Sequence, residues 1–253
     1  MKKIRFWALL LALTLLLCAC GTKKTPLEQT AAYLRDVTPE PTFGSLTGDW
    51  TVFGLARSGV KVPANYYETY YKNVTAAVTE AGGRLSETKY TEYSRLVLVL
   101  TAIGRDPRNV GGYDLLMPLA DLDRALQTLA KYRGGAAVSG AVERGLAWLA
   151  WAQEPDGTFI SWDTVSSESV SQVIVVLTEL GISLDDERFV KNGQTLPQVL
   201  ERFACEDGSY RHSLNGGSDE MATEQALYAL AAIHRAEADE TTLYDMSDAA
   251  RSS

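Results

Sequence analysis

Three stretches of this chain superimpose on one another, and they constrain the fold more than any other feature. Arg95 to Gly104, Gln172 to Gly181 and Gln225 to His234 each begin on a polar residue and run on through Leu, Val, Ala and Ile. Each is apolar nearly all round, the composition of a helix buried on most of its surface. Each also follows a glycine turn and a polar stretch: Gly82-Gly83-Arg84-Leu85, Asp156-Gly157-Thr158-Phe159 and Asp207-Gly208-Ser209-Tyr210. Glycine there permits the left-handed turn from an outer helix to the next inner one. A single helix pair cannot bury such a surface, whereas stacked pairs share a core.

Helical spacing recurs along the rest of the chain, and no segment alternates like a strand. The pattern predicts helices over Leu27–Asp36, Trp50–Arg57, Tyr66–Thr79, Tyr93–Ile103, Leu119–Tyr132, Gly140–Ala152, Val170–Leu180, Leu196–Phe203 and Ala222–Ala236. Gly59, Pro63, Gly104 and Pro107 punctuate them. The expectation is an all-α fold with short turns and no strands.

The N-terminus has a separate logic. Lys2, Lys3 and Arg5 precede an apolar run from Phe6 to Leu17, closed by Leu17-Cys18-Ala19-Cys20. A charged start, an apolar stretch and a small-residue exit mark a secretory signal. The run is shorter than the ~20 residues a spanning helix needs. The exit resembles the lipobox of bacterial lipoproteins, which implies cleavage before Cys20, lipidation of Cys20 and anchoring in a cell-envelope membrane on its extracytoplasmic side. Several acyl chains on one residue anchor stably, whereas one binds reversibly. The expected organisation is a signal peptide over 1–19, a lipidated tether over 20–25, a repeat domain over 26–248 and a tail over 249–253.

Of three cysteines, Cys18 leaves with the signal and Cys20 takes lipid. Only Cys205 remains, so no intramolecular disulfide is available. The whole chain carries a net charge of −8. Removing the signal takes away three basic residues and no acidic ones, leaving −11. That balance argues against nucleic acid as a partner of the folded part.

The stretch Arg144 to Phe159, with its aromatic Trp148 and Trp151, Gln153 and Gly157-Thr158-Phe159, is similar to the repeat of the squalene cyclase and protein prenyltransferase superfamily. More narrowly, the chain resembles prenyltransferase-repeat proteins of the bacterial envelope. Gly48-Asp49-Trp50, Gly54 to Gly59, Lys89 to Arg95, Gly111-Gly112-Tyr113, Asn192-Gly193, Met221 to Gln225 and Leu243 to Asp248 carry that resemblance. It implies an α/α-toroid-like array of helix pairs. It also implies one more repeat between Pro118-Leu119-Ala120-Asp121 and Ala125-Leu126-Gln127, where Leu122-Asp123-Arg124 joins the two directly. The expected array is therefore reduced or open.

The chemistry of that superfamily is not matched. No Asp-x-Asp-Asp cluster occurs, and Asp185-Asp186-Glu187 follows a helix stop. Cys205, Asp207 and His212 supply zinc-type ligands within one turn, without the superfamily's spacing, so no metal or cofactor is expected. No Gly-x-Ser-x-Gly elbow is present. What remains is the rim formed by the N-terminal ends of the inner helices. Glu92, Tyr93 and Arg95 come from one repeat, Ser171 and Gln172 from a second, Glu224 and Gln225 from a third, with Trp50, Trp162 and Tyr210 as aromatic walls. Arg95, Gln172 and Gln225 fall at equivalent points. A few polar groups among aromatics suit a pocket for a small molecule or glycan; the same residues also suit helix caps and hydrogen bonds between repeats. The resulting expectation is a non-catalytic, membrane-tethered binding protein, with a terpenoid cyclase- or prenyltransferase-like enzyme, or a degenerate remnant of one, as the alternative.

Overall fold

The computed structural model describes residues 24–44, 48–86, 90–116, 136–161 and 164–249. Cys20 and the signal segment, Trp162, the expected helix over Leu119–Tyr132 and the junction at Leu122-Asp123-Arg124 lie outside the described residues. Eight α-helices are present among those described: α1 Pro26–Val37, α2 Asp49–Arg57, α3 Ala64–Glu80, α4 Tyr90–Ala102, α5 Ala136–Ala152, α6 Ser167–Glu179, α7 Leu196–Glu201 and α8 Glu220–Glu237. The chain is all-α in class, and each helix covers a stretch that the apolar spacing predicts. None is long and apolar enough to cross a membrane.

The helices start and stop for identifiable reasons. Thr25 and Glu28 form a reciprocal capping box ahead of Pro26, with the Glu28 N–H donating to Thr25 Oγ1 at 3.2 Å and the Thr25 N–H to Glu28 at 2.8 Å. Ser166 caps α6 and Asp219 caps α8 by accepting from the N–H of Ser169 and Ala222. At the other ends α3, α4, α6 and α8 close alike. The N–H groups of Gly83, Arg105, Ile182 and Glu240 reach back to the carbonyls of Val78, Leu100, Leu177 and Arg235. The preceding residue is left-handed in each case: Gly82, Gly104, Gly181 and, in α8, Asp239 at φ 53°.

Four helices carry most of the core. α8 packs between α6 and α2, and α2 in turn packs on α4; α1 lies against α8, and α7 against α6. Small residues on α8 (Ala222, Ala226, Ala229, Ala231, Ala232) are fully or almost fully buried and let its neighbours approach closely. Gly54 of α2 faces Leu227 so tightly that a Cβ there would stand 2.8 Å from a Leu227 methyl. Fully buried Leu34, Phe53, Leu96, Leu100, Ile174 and Phe203 fill the space between helices, each side chain contributing ~1.5–3 kcal/mol of hydrophobic stabilisation.

The expectation of no strands is corrected in two places. Ile160–Ser161 (β1) pairs antiparallel with Thr164–Val165 (β2), and Tyr210–Arg211 (β3) with Ser218–Asp219 (β4). Two-residue strands are too short to show an alternation, so periodicity could not reveal them. They complete a repeat that is longer than the helix alone. Asp156-Gly157-Thr158 and Asp207-Gly208-Ser209 fold into the same turn, each aspartate accepting from the backbone N–H and the hydroxyl of the residue two ahead. Gly208, at φ 91°, has no room for a Cβ, which would meet the Gln29 carbonyl oxygen at 2.7 Å. Each turn leads into a hairpin and then into α6 or α8. Beyond α4 and α6 the likeness continues, since Asp106 clasps Arg108 as Asp186 clasps Arg188.

The C-terminal segment seals one end of this body. Arg57, the last residue of α2, donates to the carbonyls of Leu243, Thr242 and Asp245 at 2.8–3.0 Å and to the Asp248 carboxylate at 2.6 Å. Arg235 of α8 donates to the Thr241 carbonyl at 2.6 Å and also reaches Asp248. Both arginines are buried.

Candidate functional site

The N-terminal parts of α2, α4, α6 and α8 meet at the opposite end from that seal. Trp50 of α2, Arg95 of α4, Gln172 of α6 and Met221, Glu224, Gln225 and Tyr228 of α8 line a recess of about 310 Å³, with Gly44 at its edge. Trp50, Arg95 and Gln172 each stand nine residues before the left-handed glycine that ends their helix (Gly59, Gly104, Gly181), so three repeats project the same position into one space. α8 departs from this count because it runs on to Glu237, past the His234 that sequence alignment matches to Gly104 and Gly181.

Behind this rim lies a polar network. Asp49, 1% exposed, accepts from the Tyr70 hydroxyl at 2.7 Å and from Arg95 Nε at 2.7 Å. Arg95 also sits 5.9 Å from the centre of the Phe43 ring. Burial, together with the Asp49 charge beside it, pushes the Tyr70 hydroxyl well above its ordinary range, so it donates as a neutral phenol. Next to it, Glu224 Oε1 accepts from the Thr51 N–H at 3.1 Å and the Thr51 hydroxyl at 3.0 Å. Burial pushes the Glu224 carboxyl from 4.5 up to about 8; the Thr51 hydrogen bonds oppose the rise and the Asp49 charge adds to it. Glu224 therefore holds a proton at neutral pH. Gln172 donates from Nε2 to Gln225 Oε1 at 3.0 Å and also to the Tyr228 hydroxyl. Trp50 lies 6.0 Å from the Tyr228 ring and meets Phe53 edge-on at 5.8 Å.

Five of the residues expected at a cavity mouth thus gather around the recess: Trp50, Arg95, Gln172, Glu224 and Gln225. Four do not. Tyr93 is buried and accepts from the Leu85 N–H at 2.8 Å, tying down the turn before its own helix. Ser171 is fully buried, with its hydroxyl unpartnered inside the protein. Tyr210 is 1% exposed, its hydroxyl pushed up to about 12 by burial, and lines a separate hollow with Pro26, Thr30 and Cys205. Glu92 lies on α4, one turn before Arg95, and is not among the lining residues. For the three on helices, Glu92, Tyr93 and Ser171, periodicity fixes which residues share a face, and the neighbours decide whether that face meets a cavity or a core; Tyr210 sits on β3, outside any helical register.

Asp49, Thr51, Tyr70, Met221 and Tyr228 belong to the site or its support and were not anticipated. One signal was available for Tyr228, which stands four residues after Glu224 and so shares its face of α8. Nothing in the sequence linked Asp49 to Tyr70 and Arg95.

Of the zinc-type residues, Asp207 is engaged in its own turn and His212 Nδ1 faces Glu168 at 2.8 Å. Among the described residues no three His, Cys, Asp or Glu side chains converge as a metal site. Compared with protein-family models, with curated proteins and with solved structures, the chain has no match in any of the three.

Proposed function

We propose that this chain is a lipoprotein held through Cys20 to an envelope membrane on its extracytoplasmic side, and that its rim recess binds a small hydroxyl-rich ligand of the glycan class without turning it over. In this reading the helices form a reduced α/α-toroid-like array akin to the prenyltransferase and squalene cyclase repeats. α2, α4, α6 and α8 are inner helices; α1, α3, α5 and α7 are outer ones. The contact between α2 and α8, the first and last inner helices, supports it.

The observation that carries the binding reading is the convergence of Trp50, Arg95 and Gln172, at one register of three repeats, on a single recess with Gln225 and Tyr228. Side-chain amides and hydroxyls that can exchange their mutual hydrogen bonds for those of a ligand, beside an indole face, are what a sugar ring requires. The test is thermal stabilisation across a panel of glycans. A ligand-dependent rise in Tm that disappears in Gln172→Ala is the expected result, and no rise with any ligand in a folded sample would overturn the reading. For the anchor, Cys20→Ser should abolish acyl labelling of the chain.

One observation favours an enzyme of the terpenoid cyclase or prenyltransferase type: Glu224 keeps its proton beside an aromatic-walled recess, as a general acid must. Turnover of an isoprenoid that vanishes in Glu224→Gln would establish that alternative. Equal silence in parent and variant would end it.

A further inference from the structure

Gln172, Met221 and Gln225 line the recess and also line a second hollow of about 610 Å³. The two hollows adjoin across these three side chains, and their chemistry differs. Arg95, Gln172, Glu224, Gln225 and Tyr228 bring polar groups to the recess. In the second hollow Leu149, Ala152, Phe159 and Val173 make an apolar bed, and Trp148 and Ile160 stand over it 62% and 54% exposed. Glu168 and His212, also in this hollow, are engaged with each other, His212 Nδ1 standing 2.8 Å from the Glu168 carboxylate. An apolar trough of this kind, rimmed by polar groups and opening onto a polar recess, marks a place where apolar matter settles.

The recess sets the other half of the specificity. Its cation, Arg95, is already paired with buried Asp49 at 2.7 Å, and Glu224 is protonated. A cationic head would meet Arg95, and an anionic one would find that Arg95 already has its counter-charge in Asp49 behind the rim, so neither gains a free counter-charge. Hydroxyl groups, by contrast, find amides and a phenol in Gln172, Gln225 and Tyr228.

We infer that the two hollows take an amphiphile, with an uncharged, hydroxyl-bearing head in the recess and an aliphatic chain laid along the trough between Met221 and Trp148. This rests on the binding reading above and adds the ligand's second half. Gln172, Met221 and Gln225 line both hollows, so one molecule seated across these three side chains would fill recess and trough together.

The test is calorimetric titration of the full chain in lipid nanodiscs, with empty nanodiscs subtracted, using methyl β-glucoside and octyl β-glucoside. Burial of a few methylene groups gives the octyl compound an advantage of ~10-fold or more. That advantage should collapse in Trp148→Ala, while Gln225→Ala should weaken both compounds. Trp148 is exposed enough that its truncation leaves the fold intact, and a denaturant melt matching the parent checks this. Equal affinity for the two glucosides, lowered by Gln225→Ala, would overturn the amphiphile and leave the recess reading standing. Octyl binding that Gln225→Ala leaves untouched would overturn both, as would no binding of either glucoside to a folded sample. Self-association lost in Trp148→Ala would make the trough a contact between copies and overturn the inference as well.

Discussion

α2 and α8 pack side by side, and their two ends are built on opposite plans. At the C-terminal ends Arg57 and Arg235 are buried against carbonyls and the Asp248 carboxylate, and the chain folds back over them. Cations there complement the helix dipoles, as Asp49 does at the start of α2. At the N-terminal ends the buried acids Asp49 and Glu224 accept from Tyr70, Arg95 and Thr51, while Gln172, Gln225 and Tyr228 hydrogen-bond one another. A buried polar cluster is not in itself a sign of function. The C-terminal end is sealed by the chain itself, and the other end, whose rim side chains bind each other, is the one to which the proposed ligand is assigned.

That contrast can be broken in four ways. The largest effect is expected at the seal. Arg57→Ala removes the donor to three carbonyls and Asp248, and should cost about 3 kcal/mol in a denaturant melt, with faster amide exchange over residues 241–248. Ligand-induced stabilisation should survive it.

Next comes the pH dependence, which has opposite sign at the two ends. The Glu224 carboxyl is raised from 4.5 to about 8 in the folded protein. Between those values the unfolded chain releases the proton and the folded one keeps it, so this contribution is fully present below 4.5 and is lost as pH rises through 8. Glu224→Gln keeps the acceptor for Thr51 and should flatten that decline, leaving the variant more stable than the parent by about 2 kcal/mol above pH 8. Asp248 behaves in reverse. Burial alone would raise it, but hydrogen bonds from Arg57 and Arg235 hold it at about 2. Its contribution is present above 3.8 and is lost as pH falls through 2, so acid should open the seal first and alkali the rim.

A smaller effect is expected at Tyr70→Phe. It takes one hydrogen bond from the buried Asp49 carboxylate and should cost about 1.5 kcal/mol, and it loosens the acid that holds Arg95. The smallest is Gln172→Ala, which should shift stability by less than about 0.5 kcal/mol while removing the ligand-dependent rise in Tm. If instead Gln172→Ala destabilised the fold as much as Arg57→Ala, the rim would be a second seal and the contrast would fail.

The helices were legible because their apolar spacing is strong and their stops are chemical: Gly59, Gly104 and Gly181 can be read directly. The hairpins at Ile160–Val165 and Tyr210–Asp219 were not, because two-residue strands carry no period of their own. At the site, Arg95, Gln172 and Gln225 were found by aligning repeats, a comparison internal to the sequence. Tyr93 and Tyr210 lie away from the recess because a tyrosine in the sequence reads the same whether its hydroxyl meets a ligand or a neighbouring group of the protein. Asp49 and Tyr70 were missed because their partnership spans two helices at no fixed spacing.

The nine-residue count from rim to terminating glycine acts as a ruler for evolution. Each residue of helix advances the side chain by about 100° around the axis, so inserting or deleting one position between Trp50 and Gly59, Arg95 and Gly104, or Gln172 and Gly181 would swing the rim residue out of the recess. Substitution at fixed helix length leaves that register intact, as do insertions confined to the turns and hairpins.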